Sequence, residues 1–316
     1  MTQPADASEV AWQHDEPRWR HERFGAIVVI DEPPMLAHVD QELASELGIP
    51  PSTLWSQPPT EVLTAPVEAH LTLTKRCNLA CTHCYQESTP TSGASDLGFE
   101  DWLRRLDALA QARVFHVAIG GGEALTRADL LAIAEAARAR SITPNLTTNG
   151  AFVTEAFARQ AARLFGQINV SIDIMPPLRI FGADKATTGM SAATQLLRAG
   201  ARVGLNLVVA RANFDAIGEV VAWAAEAGMV EVELLRLKPA GRAQARYLEE
   251  RLTRAQRERL FPLALELAQQ YGIPVKLDCS AAPFVAFHAP DRERMELFAF
   301  ASMWSVPKNP VGPARI

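Results

Sequence analysis

Long apolar runs are missing from this chain: none of its 316 residues lies in a stretch near the roughly 18 uninterrupted apolar positions of a membrane-spanning helix. The first 23 residues are polar, with several acids, and lack the apolar centre and small-residue cleavage pattern of an export signal. A charge excess of one sign is absent too. Lys and Arg number 31 against 36 Asp and Glu, mixed along the chain for a net charge of -5. The one-sided basic surface that phosphate binding demands is therefore not there, and nucleic acid is not expected as a partner. The densest charge run, 249–259, alternates in sign and reads as a solvated helix face. Cysteine is scarce, at four, and three of the four fall within positions 77–84. A secreted disulfide framework spreads its cysteines, whereas a tight cluster in a reducing compartment points to metal or redox chemistry. No membrane association and a cytoplasmic location are the expectation.

What remains is an ordinary globular composition, 48% hydrophobic and 21% charged, enough for one large domain or two modest ones. Residues 1–66 divide into a polar segment, a small unit with a strand at 25–30 and an amphipathic helix at 35–47, and a linker over 50–66 holding five prolines. From 67 to 280 the pattern becomes regular. Strands are expected at 67–74, 114–119, 142–146, 168–172, 203–210 and 230–237. Helices are expected at 99–112, 127–140, 154–165, 190–199, 214–227 and 253–270. Thr126, with Asp129 three residues on, reads as the start of the second helix, Pro144 weakens the third strand, and Pro262 marks a kink or break in the last helix. Six strand-then-helix units predict an α/β fold, a partial (β/α)6 barrel with parallel strands and helices outside. The loops after the strands then gather on one rim, where such folds bind ligands. Residues 281–316 form an irregular tail, with Pro307, Pro310 and Pro313 excluding a helix or central strand from its end.

The loop after the first barrel strand reads Cys77-Asn78-Leu79-Ala80-Cys81-Thr82-His83-Cys84-Tyr85. Three thiolates can each take one iron of a cubane cluster, leaving the fourth iron open, whereas ferredoxin-type sets supply four cysteines. Structural zinc wants four ligands, normally as two separated pairs, and a second pair is missing; Cys279 is left as the one further cysteine that zinc could use. Asn78, Thr82 and His83 make this a polar loop, which argues against three inert core cysteines.

At these residues the sequence resembles the radical S-adenosylmethionine superfamily, whose signature is C-x3-C-x2-C followed by an aromatic, here Tyr85. The resemblance covers roughly residues 67 to 279. It implies a [4Fe–4S] cluster on Cys77, Cys81 and Cys84, with S-adenosylmethionine chelating the open iron. It carries the methionine amino group to Gly121, Gly122 and Glu123 of the Gly120-Gly121-Gly122-Glu123 turn, glycines that also let a backbone approach a ligand closely. Thr147-Thr148-Asn149-Gly150 resembles the T-N-G turn of the group, so Asn149 either faces the cofactor or simply makes a turn. Alternation puts Ser171 and Asp173 on one side of the fourth strand end, where relatives use polar groups for the cofactor ribose and carboxylate. Asn206, polar inside an apolar strand, meets either the cofactor or backbone. Lys238 and Arg242, after the sixth strand, read equally as partners of a carboxylate or as solvated charges.

The activity implied is reductive cleavage of S-adenosylmethionine to a 5′-deoxyadenosyl radical that abstracts hydrogen from a substrate, fed by a one-electron reductant such as flavodoxin or ferredoxin. The cofactor carries the hard chemistry, and the protein supplies position and exclusion of water. Segments 206–209, 238–242 and 277–280 look like the peptide-modifying, SPASM-type maturases, so a ribosomally made peptide is the leading substrate class. A small-molecule cofactor precursor and a non-catalytic metal-binding descendant are the alternatives. The cysteine-rich extension of those maturases is not matched, since Cys279 is the sole cysteine beyond the barrel, and the tail is expected to be a mobile remnant without an auxiliary cluster. Anaerobic reconstitution should load about four irons per chain. Alanine at Cys77, Cys81 or Cys84 should abolish that loading, and Cys279→Ala should not. Stoichiometric zinc without iron uptake would overturn the assignment.

Overall fold

The computed structural model describes residues 17–281 except 32–33, 59, 61, 94 and 174–182, without the side chains of 183–186. The expected tail beyond 281 and most of the connection after Asp173 thus lie outside the described residues.

The chain opens with an antiparallel sheet of β1 (Arg18–Glu22), β2 (Gly25–Ile30) and β3 (Met35–Asp40), followed by α1 (Gln41–Glu46). The helix expected over 35–47 is therefore half strand. Residues 35–40 find their backbone partners on β2, and Leu36 and Val39 are buried. The helix starts only where the Asp40 carboxylate accepts from the Leu43 N–H. β1 was not expected at all, because its inward side chains are charged: Arg20 and Glu22 are buried as an ion pair at 2.8 Å. Arg18 fastens this unit to the start of the barrel strands. It donates to the carbonyls of Phe115 and Ser141 and pairs with Asp31 at 2.6 Å, and Asp31 in turn faces Arg138 at 3.4 Å.

Seven parallel strands follow: β4 (Glu68–Thr74), β5 (His116–Gly121), β6 (Thr143–Thr148), β7 (Ile168–Ser171), β8 (Val203–Val209), β9 (Glu231–Arg236) and β10 (Val275–Leu277). They pair in chain order from β4 to β10, and β4 and β10 do not pair with each other, so the barrel is open. The helices are α2 (Phe99–Gln111), α3 (Leu130–Arg138), α4 (Glu155–Leu164), α5 (Ala183–Arg198), α6 (Ile217–Glu226), α7 (Tyr247–Glu250) and α8 (Arg254–Tyr271). The partial barrel with external helices is as expected, with one strand more. At three residues, β10 is too short to carry a periodic signal.

Three local expectations change. Helix α3 begins at Leu130, not near Thr126, because Glu123 caps a short 3-10 turn at Ala124–Thr126 and Arg127 holds the Asp129 carboxylate at 2.6 Å. Pro144 sits inside β6 at no cost to the ladder, because β6 and β7 first pair at Leu146 and Ile168, beyond the point where its N–H would have been needed. Helix α8 runs through Pro262, its buried face of Leu260, Phe261, Ala264 and Leu267 packing against the core.

The apolar core lies between sheet and helices. Val117 and Ile119 of β5 meet Ile133, Ala134 and Ala137 of α3 there, all within 1% of full burial. Each such valine or isoleucine contributes roughly 1.5–3 kcal/mol on burial. The opposite faces of the strands line a polar lumen. In register, Ser171, Asn206, Glu233 and Lys276 form one row across β7 to β10. Lys276 pairs with Glu231 at 2.6 Å, while burial, reinforced by the charge of Glu231 and opposed by Lys276, pushes the Glu233 carboxyl up to about 7.

That shift has a sign. Between the ordinary value of 4.5 and about 7 the native chain keeps a proton on Glu233 that the unfolded chain has released, so stability falls as pH rises through this window. Glu233→Gln removes the effect. The variant should exceed the parent in stability by about 1–3 kcal/mol at about pH 8, with the gap closing towards pH 4.5. Urea denaturation at both pH values measures it, and a gap independent of pH would show that Glu233 is ordinarily solvated.

Candidate active site at the barrel rim

All seven parallel strands end on one edge, and the loops leaving them surround the mouth of a cavity of about 1340 Å³. Among the described residues the cysteine loop is the longest of these. It leaves β4 and closes on itself, the Cys77 N–H donating to the Thr89 carbonyl at 3.0 Å beside a bridge between Arg76 and Thr89. Cys77 is buried, whereas Cys81 and Cys84 are half-buried, and all three line the cavity. Burial pushes the Cys77 thiol above its usual value. The Leu79 N–H on its sulfur, at 3.4 Å, pulls it back, and Glu123, Cys81 and Cys84 raise it further.

Burial disfavours a lone thiolate at Cys77, a cost that a positive centre bound by the three sulfurs would offset, so this donor set fits an iron–sulfur cluster. Among the described residues no three His, Cys, Asp or Glu side chains converge tightly enough for a single metal ion. A cubane does not ask for that, since its three thiolates bind three different irons. Cys279 lines the same cavity but is exposed.

The glycine turn after β5 is pressed against the cysteine loop. Gly121 has φ +129, and a Cβ on it or on Gly122 would fall on the carbonyls of Thr74 or Arg76. Glycine alone permits that approach. Gly122 and Glu123 donate their N–H groups to those carbonyls, at 2.7 and 2.8 Å. Gly121 and Gly122 face the cavity, but the Glu123 side chain, only 1% exposed, turns away from it. Its carboxylate accepts from the Leu125 N–H, the Thr148 hydroxyl and the Asn149 N–H at 3.1, 2.8 and 2.7 Å. Asn149 then reaches the cysteine loop: its Nδ2 donates to Asn78 Oδ1 at 2.9 Å and lies 3.9 Å from the Cys77 sulfur.

Of the remaining expected residues, Ser171 and Asn206 line the cavity side by side in register, and Asn206 Oδ1 accepts from Asn169 at 2.9 Å. Asp173 is buried and occupied by protein: Oδ1 accepts from the Val208 N–H at 3.2 Å, and Oδ2 meets His83 Nε2 at 2.9 Å. Tyr85 is half exposed, with the Lys238 ammonium 5.3 Å from its ring centre. From the sequence, His83 reads only as part of a polar loop, and Arg242 reads equally as the partner of a carboxylate or as a solvated charge. The structure sets His83 against Asp173 and lays Arg242 across the cysteine loop. No local signal marks either contact, because both partners lie far away in the chain.

Residues 71–230, about half of the chain, match the family described as the radical SAM superfamily. Pre-heme d1 synthase of Dinoroseobacter shibae is 30% identical over 215 residues, covering 65% of this chain and 52% of that protein. The PqqA peptide cyclase of Gluconobacter oxydans is 32% identical over 167 residues, 51% of this chain and 47% of that one. The chain thus spans about half the length of these curated relatives. SuiB of Streptococcus suis, solved with S-adenosylmethionine, shares the fold at a TM-score of 0.65 and 16% identity, covering 84% of this chain and 72% of SuiB. The matched stretch contains the three cysteines and the glycine turn pressed against them, so the chain belongs to the radical SAM superfamily, enzymes that work with a [4Fe–4S] cluster and S-adenosylmethionine.

Proposed function

We propose that the chain acts as a radical S-adenosylmethionine enzyme on a ribosomally made peptide. The observation that carries the chemistry is the cysteine loop, with three thiols opening onto one large cavity at the rim of an open barrel. Cys77, Cys81 and Cys84 would each hold one iron. When bound, the cluster supplies the electron that breaks a sulfur–carbon bond of S-adenosylmethionine, and the resulting 5′-deoxyadenosyl radical takes hydrogen from the substrate.

The chain's own residues bind and orient. Gly121 and Gly122 offer backbone at the point of closest approach to the cysteine loop, suited to the methionine amino group. Ser171 and Asn206, adjacent in register on β7 and β8, suit the ribose hydroxyls. Glu123, Asn149 and Asp173 we assign to a supporting role, since their polar atoms bond to other rim residues. Tyr85, capped by Lys238, would screen the mouth.

The likeness to a PqqA peptide cyclase supports a peptide substrate. The similarity to pre-heme d1 synthase supports a second reading, a small-molecule cofactor precursor. Either requires a one-electron reductant of the flavodoxin or ferredoxin kind.

Reconstituted protein, reduced anaerobically with dithionite, should convert S-adenosylmethionine to 5′-deoxyadenosine and methionine, as read by chromatography. Cys81→Ala should remove the activity. Glu123→Gln, which keeps the shape of the junction but weakens charge-assisted bonds worth roughly 1.5–3 kcal/mol, should keep the iron and lower the rate of cleavage. Full iron loading with no 5′-deoxyadenosine would refute the proposed chemistry. Hydrogen transfer from a tetrapyrrole precursor and not from a peptide would move the substrate to the second reading.

A further inference from the structure

The segment leaving β9 reads Leu237-Lys238-Pro239-Ala240-Gly241-Arg242 and crosses from the sixth strand of the barrel to the loop after the first. Arg242 Nε donates to the Cys81 carbonyl at 2.8 Å and Nη2 to the Ser88 carbonyl at 2.9 Å, while its backbone N–H donates to the Cys84 carbonyl at 3.0 Å. One residue thus grips the cysteine loop at three points, two of them cysteines. Gly241, at φ +57, makes this possible: a Cβ there would lie 2.5 Å from the carbonyl oxygens of both Cys84 and Tyr85.

We propose that Arg242 is a positioning residue for the iron–sulfur cluster, fixing the Cys81–Cys84 arm of the loop and placing a permanent cation beside it. The inference rests on the reading that Cys77, Cys81 and Cys84 hold the cluster. The Cys77 end of the loop is anchored by its own bridge to Thr89 and by Asn149. Cys81 and Cys84 lie on the half-buried arm, which has no strand pairing of its own. His83–Asp173 holds the middle of this arm to the chain leaving β7, and Arg242 holds it to the segment leaving β9. A guanidinium is a rigid planar fork, so two carbonyls bound by it are fixed relative to each other. A lysine supplies the charge without that geometry. The charge has its own effect, because a cluster with three thiolates is anionic and its reduction potential responds to neighbouring charge and hydrogen bonds.

The test uses the full chain, reconstituted anaerobically, with two readouts other than turnover: the rate of iron loss to a ferrous chelator, and the midpoint potential from an EPR-monitored redox titration. Arg242→Met should lose iron about 10- to 100-fold faster and shift the potential to a more negative value. Arg242→Lys should lose iron nearly as fast while keeping a potential closer to the parent's. Gly241→Ala, which forces the segment away with Arg242 intact, should reproduce the rapid loss. Arg254→Met, which removes an exposed arginine paired with Glu258 on α8, should match the parent in both readouts. Parent-like iron retention and potential in Arg242→Met overturn the proposal, as does an equal change in the Arg254→Met control. If Arg242→Met does not fold, parent-like retention in both Arg242→Lys and Gly241→Ala overturns it. Cys77→Ala runs alongside: full iron retention there would overturn the cluster assignment itself.

Discussion

A single buried carboxylate organises the rim. Glu123 carries a charge at 1% exposure and meets it with hydrogen-bond donors from two rim loops. Its own N–H is spent on the Arg76 carbonyl, one residue before the first cysteine. Removing a carboxylate from water costs several kcal/mol, about what three charge-assisted bonds return, so the junction is stable only when all its donors are in place. It therefore fixes three loops together or none. The glycine turn, Asn149 and the start of the cysteine loop take their positions from that constraint.

The lumen obeys a different rule. Strand faces turned to the helices are aliphatic and close-packed, as any α/β fold requires. The faces turned inward add the polar side chains of Glu68, His70, Asn145, Asn169, Glu231 and Lys276 to the cavity wall. Such a wall is tolerable because the barrel is open and water reaches it. When a ligand fills the cavity that water leaves, and each polar group must find a partner on the ligand or on its neighbours.

The sequence made the parallel core legible because six units repeat the same alternation of apolar strand and amphipathic helix, as in α4, whose cap Thr154 and buried Ala158, Ala161 and Leu164 follow the helical period. It made the three cysteines legible because their spacing is local. It hid β1, whose buried pair Arg20–Glu22 looks like surface, and β3, whose partners lie on another strand. At the site it marked positions on the rim but not the directions of their side chains. Glu123 and Asp173 are where the motifs put them, yet each points at protein, a fact decided by Thr148 and His83. Arg242 was illegible for the same reason: its partners are more than 150 positions away.

The fastening of the N-terminal sheet bears on how such chains can be recombined. Asp31 belongs to the small sheet, yet it neutralises Arg138 of the barrel, which is 7% exposed and otherwise donates to Leu164 and Thr143. Arg18 lies across the same junction and ends on barrel carbonyls. A barrel transplanted without this sheet would leave Arg138 without its carboxylate partner, and a sheet grafted onto another barrel would keep its Arg18–Asp31 pair but leave Arg18 without its barrel carbonyls. The two pieces are in this respect one module, and exchange between relatives should respect the seam inside them, not the proline-rich link that joins them in sequence.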